Sequence, residues 1–292
     1  MTQRIGLIGK PVAHSVSPAF QQAALDYYGL DARYEAWETE PEGLAATVAA
    51  LPGRGYLGAN VTVPYKEAVI PLMDHLDDVA ATVGAVNTVV NRDGQLWGYN
   101  TDGEGFLRAL RQQAGYDVRG QRVLVLGAGG AARAVVMALL RARAAAVSVA
   151  NRTWERAQRL VQDLRAHAGT AELQAVPYTP VALAEATAGC GLLVNCTSIG
   201  MRHTPEEGAP PLSPELIPPG VLVFDVVANP LETRLLAEAR RRGARTVNGL
   251  TMLVYQGAAA FELWTGLPAP VDVMLAAAQR AMDPEGGQGG DG

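Results

Sequence analysis

The chain has 292 residues, of which 49% are hydrophobic and 18% are charged, with a formal net charge of -5 at pH 7. This composition is typical of about two folded domains and excludes disorder over most of the length, while the negative charge disfavours nucleic acid or an anionic membrane surface as a partner. No apolar run is long enough to span a membrane, the N-terminal residues lack the pattern of a secretion signal, and Cys190 and Cys196 match no disulfide, zinc or redox spacing, so we expect a cytoplasmic protein.

The N-terminal third alternates strand-like and helical segments. Short apolar runs predict strands over residues 4–9, 34–37, 58–63 and 85–90. A helix follows the first strand, with Ser17 as its N-cap and Pro18 at its first position, and runs to Tyr28. Thr101 and Glu104 form a capping box that opens another helix over 106–113. This alternation predicts a layered α/β domain.

From residue 123 onward the pattern becomes a regular βαβ series. Apolar runs predict strands over 123–126, 147–150, 192–195 and 221–226, with helices over 131–142 and 154–167. A loop and a helix follow over 249–261, and a closing helix covers 271–282. The last residues, 283–292, are Gly-rich and acidic, and we expect them to be disordered.

A glycine-rich turn joins the first strand of this series to its helix. It reads Gly127-x-Gly129-x-x-Ala132, in the strand-turn-helix context that a dinucleotide site needs. Gly127 permits the tight turn, Gly129 admits a pyrophosphate, and the helix N-terminus offers N–H groups to the phosphates. The alternative is a tight packing turn without a ligand.

The end of the next strand indicates which dinucleotide binds. A site for NAD carries Asp or Glu there, whereas this chain has Asn151-Arg152-Thr153, with Arg156 one turn further on. Two guanidinium groups beside two hydrogen-bonding side chains suit a dianionic 2′-phosphate, so the sequence predicts NADP. The alternative is that both arginines are ordinary solvated cations in an Arg-rich chain.

Lysine is scarce in this sequence. Of the 24 basic residues 22 are Arg, and the exceptions are Lys10 and Lys66. A lysine can lose its proton in a protein, whereas an arginine effectively cannot. Lys66 lies just after Pro64 at the end of a predicted strand and is therefore a candidate for proton chemistry, with a solvated loop lysine as the alternative.

Four polar clusters interrupt otherwise apolar or Gly-rich segments. They contain Ser15 and Ser17; Asn60 and Thr62 ahead of Lys66; Asn87; and Asp102. A polar residue in an apolar strand must find a partner, which makes these side chains candidate functional residues. The alternatives are structural: Ser17 caps its helix, Asn87 is a satisfied core amide, and Asp102 complements a helix dipole.

Taken together, these motifs resemble the shikimate dehydrogenase family. In chain order they are S-V-S-P (15–18), G-A-N-V-T-V-P-Y-K (58–66), G-A-V-N-T (84–88), G-Y-N-T-D-G (98–103), G-A-G-G-A (127–131), N-R-T-x-x-R (151–156), N-C-T-S-I-G-M (195–201) and N-G-L-T-M-L-V-Y-Q-G-A (248–258). The matches are collinear from about Ile5 to Ala278. The resemblance implies a reversible, NADPH-linked reduction of 3-dehydroshikimate to shikimate, in the chorismate pathway of aromatic amino-acid biosynthesis.

The resemblance also implies a role for each matching residue. Lys66 and Asp102 are the implied catalytic pair, and Ser15 and Ser17 the implied partners of the substrate carboxylate. The implied contacts to the ring hydroxyls are Thr62, Asn87, Asp102 and Gln256, with Asn60 as a further candidate. The implied cofactor contacts are Asp78, Gly127, Ala128, Gly129, Gly130, Ala131, Asn151, Arg152, Thr153, Arg156, Val226 and Gly249.

Elementary chemistry supports the catalytic pair independently. Reducing a ketone requires a hydride at carbon and a proton at the developing alkoxide, and the Lys66 ammonium can stabilise that charge and donate the proton. Asp102 can orient both the lysine and a substrate hydroxyl. The residues alone leave open whether Lys66 moves the proton or acts mainly as an electrostatic clamp.

The chain departs from the family pattern mainly at one position; a smaller difference is Gln22, where the family often has Asn in its first helix. Where the family often has D-x-x-Y-x-P, this sequence has Asp225-Val226-Val227-Ala228-Asn229-Pro230. Ala228 therefore stands in place of a tyrosine that, by the resemblance, usually reaches the substrate carboxylate.

We therefore expect a two-domain α/β protein with its active site in the cleft between the domains. Residues 1–102 and 247–282 are predicted to form the substrate domain, and 103–246 a Rossmann-type parallel-sheet NADP domain. The expected partner is a small-molecule substrate, with no nucleic acid and no membrane, and we predict no metal site and a monomer or homodimer. Two alternatives remain: a quinate/shikimate dehydrogenase, and a non-catalytic homologue that senses metabolites.

Overall fold

A computed structural model describes residues 2–202 and 204–282 of the chain. The strands are β1 (Gln3–Gly9), β2 (Ala32–Glu38), β3 (Tyr56–Val61), β4 (His75–Leu76), β5 (Thr88–Arg92), β6 (Gln95–Tyr99), β7 (Arg122–Leu126), β8 (Ala146–Ala150), β9 (Glu172–Val176), β10 (Leu192–Asn195), β11 (Leu222–Asp225) and β12 (Arg245–Val247). The helices are α1 (Ser17–Tyr27), α2 (Leu44–Ala49), α3 (Asp78–Val83), α4 (Asp102–Ala114), α5 (Gly130–Arg141), α6 (Trp154–Leu164), α7 (Pro180–Thr187), α8 (Arg234–Arg241), α9 (Gly249–Thr265) and α10 (Val271–Met282). The predicted tail, 283–292, lies outside the described residues.

The chain forms two compact units. Unit 1 contains the residues up to Gly105 and those from Val254 onward, and unit 2 is Phe106–Leu253. Both divisions fall inside helices, α4 and α9. Among the described residues, no helix has both the length and the apolar character needed to cross a membrane.

Unit 1 is built on a mixed sheet of six strands in the order β2-β1-β3-β5-β6-β4. The first strand pairs in parallel with β2 and β3, whereas β5 runs antiparallel to both β3 and β6. The hairpin between β5 and β6 turns at Asp93 and Gly94, which have φ values of 54° and 87°. Two successive residues with positive φ match the right-handed twist of the flanking strands, and Asp-Gly is a favoured pair for such a turn.

Unit 2 is built on a fully parallel sheet in the order β12-β11-β10-β7-β8-β9. Its first strand, β7, lies in the middle, so the chain winds outward in one direction through β8 and β9 and in the other through β10 to β12. Such a sheet is buried on both faces, and Leu124, Leu193 and Val223 are indeed fully buried. Ligands of this fold bind at the carboxyl ends of the strands where the winding direction reverses, here between β7 and β10. The predicted α/β fold class, with a Rossmann-type sheet in one of two domains, is confirmed.

The start of α1 differs from its prediction. Ser17 was expected to be the N-cap, but the N-cap is Val16, and Ser17 and Pro18 occupy the first turn. The Oγ of Ser15 accepts a hydrogen bond from the Ser17 N–H, at the first position of the helix, at 3.2 Å. The expectation that Ser17 caps the helix is therefore wrong, because the helix already begins at Ser17 and the N–H groups of Ala19 and Phe20 donate to the carbonyl of Val16.

The polar residues around β5 also lie slightly off their predicted positions. The strand begins at Thr88 rather than at 85, so Asn87 precedes it instead of lying within it. The strands β4, β6, β9 and β12 were not predicted. Their polar residues, such as Gln95 and Glu172, interrupt the apolar runs on which the prediction depended.

A buried carboxylate joins the ends of β10 and β11. Asp225 is fully buried; its Oδ1 accepts hydrogen bonds from Asn195 Nδ2 at 2.9 Å and from the Val227 N–H at 3.0 Å, and its Oδ2 accepts one from Thr233 Oγ1 at 2.6 Å. Asn195 in turn accepts a hydrogen bond from the Thr197 N–H at 3.0 Å. Burial raises the pKa of Asp225 to about 6, although these donors act in the opposite direction. The network fixes the two loops that follow these strands.

This buried group gives the first testable prediction. The folded protein holds Asp225 at a pKa of about 6 against an ordinary value of 3.8, so between these pH values it binds more protons than the unfolded chain does. We expect this group to lower the free energy of unfolding as pH rises through that window, by up to about 1.4 kcal/mol per pH unit. Asp225→Asn keeps the acceptor at Oδ1 but does not titrate there.

Comparing the wild type with Asp225→Asn isolates the contribution of the Asp225 carboxyl to the pH dependence of stability. Urea unfolding at a series of pH values should show the variant gaining stability relative to the wild type as pH rises through the window, and a constant difference above it. Parallel stability curves for the two proteins across the window would contradict the prediction.

Candidate active site

Lys66 and Asp102, separated by 36 residues in sequence, form an ion pair in unit 1. Lys66 Nζ lies 2.5 Å from Asp102 Oδ2. The lysine follows the turn after β3, and the aspartate is the first residue of α4. The side chains are 19% and 6% exposed, respectively, so the ammonium keeps some access to solvent while the carboxylate is buried.

The backbone around Lys66 is held firmly. Its carbonyl accepts a hydrogen bond from the Val86 N–H at 2.7 Å. The neighbouring Tyr65 is buried and donates its hydroxyl proton to the carbonyl of Thr39 at 2.6 Å. The lysine side chain therefore projects from a fixed turn, in contrast to a lysine on a free loop.

Asn87 connects the carboxylate to the rest of the site. Its Nδ2 donates to Asp102 Oδ1 at 2.8 Å, to Thr101 Oγ1 at 2.9 Å and, at a longer 3.2 Å, to Gln256 Oε1. Its Oδ1 accepts the N–H of Thr101 at 2.9 Å. Both oxygens of Asp102 thus accept hydrogen bonds, one from the amide and one from the ammonium, which fixes the plane of the carboxylate.

Gln256 reaches this cluster because α4 and α9 approach closely. A Cβ atom at Gly105 would lie 2.6 Å from the backbone nitrogen of Gln256, closer than real Cβ contacts allow. The glycine is therefore required for the approach of the two helices at this point. The close packing brings the Gln256 side chain to Asn87.

Asn60 lies next to the cluster, with its polar atoms engaged by the protein. Its Oδ1 accepts the Tyr34 hydroxyl proton at 2.7 Å, and its Nδ2 donates to the Asn87 carbonyl and to Thr88 Oγ1, both at 3.1 Å. Burial raises the pKa of Tyr34 strongly, so the phenol remains a donor. Asn60 thus supports the position of Asn87.

The remaining predicted substrate contacts of unit 1 lie near the ends of its first elements. Ser15 is half-buried before α1, Ser17 is buried in its first turn, and Thr62 follows β3. Among the described residues, none of these three side chains bonds to Lys66, Asn87 or Asp102, and the hydroxyl of Thr62 makes no hydrogen bond. The structure therefore gathers Lys66, Asn87, Asp102 and Gln256 into one hydrogen-bonded group, to which these three do not belong.

In unit 2 the glycine-rich turn has the shape that a pyrophosphate requires. Gly127 has a φ of +108°, and a Cβ there would lie 3.0 Å from the backbone of Cys196. Gly129 is the N-cap of α5, and a Cβ there would enter open space. A side chain at Gly129 would fill this space, and the first-turn N–H groups of α5 have no partner within the helix. Gly127, Ala128, Gly129, Gly130 and Ala131 therefore fit the phosphates of a dinucleotide.

The predicted 2′-phosphate clamp lies where β8 leads into α6. Asn151 Nδ2 donates to the carbonyl of Thr153, the N-cap of α6, at 2.8 Å, while Arg156 is exposed in the first turn. Arg152 is also exposed, but its Nη1 lies 2.6 Å from an oxygen of Glu206. Glu206 was not among the predicted residues, because 54 positions separate it from Arg152.

The other predicted cofactor contacts fall into two groups. Val226 and Gly249 meet in unit 2, where a Cβ at Gly249 would lie 2.2 Å from the carbonyl oxygen of Val226. Asp78 is exposed in unit 1, at the first position of α3. No group of three or more His, Cys, Asp or Glu side chains suited to a metal ion occurs within the described ranges.

Two supporting residues near the ion pair were not assigned roles from the sequence. Asn100 accepts the N–H of Asp102 at 3.1 Å and donates to the carbonyl of Ala85 at 2.9 Å, so it sets the start of α4. An Asn two residues ahead of a helix is typical of this turn, and that spacing is a usable signal. Tyr34, which holds Asn60, has no comparable signal in the sequence.

Three family models match the chain in sequence order. They describe the shikimate dehydrogenase substrate binding domain (residues 7–89), shikimate / quinate 5-dehydrogenase (109–187) and the shikimate 5′-dehydrogenase C-terminal domain (249–279). The shikimate dehydrogenase (NADP(+)) of Moorella thermoacetica is 49% identical over 98% of this chain and 96% of its own length.

Solved structures give the same result. The shikimate 5-dehydrogenase of Thermus thermophilus, in complex with NADP(H) and shikimate, is 42% identical and superposes with a TM-score of 0.86, over 96% of this chain and 99% of the other. The quinate dehydrogenase of Corynebacterium glutamicum, in complex with NAD, is 32% identical with a TM-score of 0.85, over 94% and 98%. The chain is therefore a member of the shikimate dehydrogenase family.

Proposed function

We propose that this chain catalyses the reversible, NADP-dependent reduction of 3-dehydroshikimate to shikimate, a step of aromatic amino-acid biosynthesis. It is an oxidoreductase of the kind named in its relatives. The observation that carries the site assignment is the partly buried ion pair of Lys66 and Asp102, which is bonded through Asn87 to Gln256.

The proposed chemistry divides between a cofactor and the ion pair. NADPH, when bound, supplies the hydride that reduces the carbonyl carbon. Lys66 donates a proton from Nζ to the carbonyl oxygen and stabilises the negative charge that develops there. In the reverse direction the neutral amine accepts the hydroxyl proton. Asp102 holds Nζ in place and accepts a hydrogen bond from a neighbouring substrate hydroxyl.

The substrate carries hydroxyl groups and a carboxylate, which need different partners. We assign Asn87, Asp102 and Gln256 to the ring hydroxyls, because they combine acceptors and donors around Lys66. We add Thr62, a hydroxyl between β3 and Lys66, to the same assignment. Asn60 is assigned to hold Asn87 in position. Ser15 and Ser17 are assigned to the carboxylate, as hydroxyl donors at the start of α1.

The cofactor residues are assigned by the chemistry of each part of NADP. The loop from Gly127 to Ala131 takes the pyrophosphate, and Asn151 to Arg156 take the adenosine 2′-phosphate. Asp78, Val226 and Gly249 complete the proposed contacts. We further propose the functional domain limits 1–102 with 247–282 for substrate and 103–246 for NADP, a cytoplasmic location, and a monomer or homodimer.

The direct test is a panel of substrates and cofactors on the purified chain. We expect oxidation of shikimate with NADP to have a higher kcat/KM than oxidation of quinate with NAD, because the clamp offers two arginines to a phosphate. Absorbance of the reduced nicotinamide measures both rates. Preference for quinate with NAD would support the quinate dehydrogenase alternative, which the likeness to the Corynebacterium enzyme raises. Binding of shikimate without turnover would support a sensor.

Replacing the lysine should remove the proton donor. We expect Lys66→Ala to lower kcat by about 10²- to 10⁴-fold with a modest change in KM for shikimate. The matched control is Lys10→Ala, because Lys10 is the other lysine of the chain and pairs with Glu40 on an exposed surface. Steady-state kinetics with shikimate and NADP measure both variants. Equal turnover in wild type and Lys66→Ala would refute the assignment.

The two members of the pair should act as a unit. Asp102→Asn places an amide beside Nζ and removes the charge that holds the ammonium, so we expect kcat to fall by about 10²-fold or more. The double variant with Lys66→Ala should lose no more than about tenfold beyond the worse single variant, because each change disables the same ion pair. Fully multiplicative losses in kcat would show that the two residues act independently.

A further inference from the structure

The ion pair of Arg152 with Glu206 bears directly on cofactor affinity. The guanidinium proposed to bind the 2′-phosphate already has a carboxylate 2.6 Å from Nη1. Both groups are partly exposed, at 64% and 34%, so a ligand can reach them. A phosphate at this guanidinium would compete with the carboxylate for the same donors, since an arginine offers a limited fork of N–H groups.

The position of Glu206 is set by its loop. Its backbone carbonyl accepts hydrogen bonds from the N–H of Gly200 at 2.9 Å and of Ala209 at 3.1 Å. The side chain therefore starts from a fixed point beside the clamp. The ion pair is consequently a feature of the folded loop.

A half-buried aromatic residue, Tyr178, stands beside the same pair. Tyr178 donates its hydroxyl proton to the carbonyl of Pro211, and burial raises the pKa of its phenol. The charge of Arg152 acts to lower that pKa and the charge of Glu206 acts to raise it, which places both charges within electrostatic reach of the ring. The loop and the clamp thus share one local environment.

The charges around the clamp determine how favourable the site is for a 2′-phosphate. Arg152 and Arg156 contribute two positive charges, and Glu155 and Glu206 contribute two negative ones. Glu155 makes no ion pair among the described residues, whereas Glu206 is bonded to one of the two cations. A bound 2′-phosphate would therefore meet a carboxylate at one of its own guanidinium partners.

We propose that Glu206 is a specificity-determining residue that competes with the 2′-phosphate of NADP for Arg152 and so weakens the discrimination between NADP and NAD. This inference rests on the proposed function, because it takes Arg152 as part of the phosphate clamp. Glu206 forms an ion pair with Arg152 when no phosphate is present, and its negative charge repels a phosphate that binds there. The residue lowers affinity for the phosphorylated ligand and leaves the unphosphorylated one unaffected.

The test compares two nucleotide fragments that differ only in the 2′-phosphate. Calorimetric titration of the full chain with adenosine 2′,5′-bisphosphate should give a Kd about three- to tenfold lower for Glu206→Gln than for the wild type, since an exposed ion pair and one like-charge repulsion are removed. The Kd for adenosine 5′-phosphate should stay unchanged. The gap between variant and wild type should narrow at high salt, because the competing charges are screened.

The adjacent residue provides the control. Glu207→Gln removes the same charge from the next position of the loop, and the Kd of this variant for the bisphosphate should remain within about twofold of the wild type. In an Arg152→Ala background, Glu206→Gln should have a smaller effect, because the shared partner is gone.

Each outcome has a distinct meaning. If neither the wild type nor Glu206→Gln binds the bisphosphate more tightly than the monophosphate, the proposed NADP site itself fails. If the wild type discriminates but Glu206→Gln behaves like Glu207→Gln, the competition is refuted while the NADP site stands. Weaker binding by Glu206→Gln would also overturn the proposal, since Glu206 would then be orienting Arg152 for the phosphate.

Discussion

The ion pair between Lys66 and Asp102 is the constraint on which the organisation of unit 1 depends. Withdrawing two charges from water is costly, and their attraction offsets this cost only when the geometry is good and the remaining lone pairs and protons are satisfied. Asn87 and Asn100 meet that condition for Asp102, one at its side chain and one at its backbone N–H. The surrounding sheet and helices hold these partners in register.

In unit 2 the candidate anion site depends on backbone N–H groups, in contrast to the charged side chains of unit 1. The glycine-rich loop that is proposed to bind the dinucleotide presents backbone N–H groups at a helix N-terminus, so the sequence there needs small residues more than it needs polar ones. The residues that shape the adjacent loops are buried polar groups, Asn195 and Asp225, at the ends of neighbouring strands. A buried network of this kind is stable only while every member keeps its partners, which explains why it extends to Thr197 and Thr233.

Specificity for a cofactor is a difference between two affinities, and repulsive groups contribute to it as much as attractive ones. The ion pair of Arg152 with Glu206 places an attractive and a repulsive group beside the same proposed phosphate site. A carboxylate in such a place reduces the benefit that the arginine gives to a phosphorylated ligand. The strength of the clamp therefore depends on the whole local charge set, which includes residues well beyond those that follow β8.

Local features of the sequence predicted the parts of the fold that depend on neighbouring residues. The apolar runs predicted β10 and α10 with the bounds that are observed, and the glycine turn predicted the β7-α5 junction, because burial pattern and backbone freedom are short-range properties. The same local reasoning misplaced the cap of α1, where the N-cap is Val16 and the helix begins at Ser17.

The sequence by itself determined the fold class, because this follows from periodicity and the glycine-rich turn. Its collinear motifs also indicated the family and the residue types of the candidate site, through their resemblance to known members. Only the tertiary structure decided which side chains meet. It brought Gln256 to Asn87 through the close approach at Gly105, closed the hydrogen bonds of Asn60 with Tyr34, and set Glu206 against Arg152. These pairs are far apart along the chain, and no local pattern encodes a contact that depends on how separate elements pack.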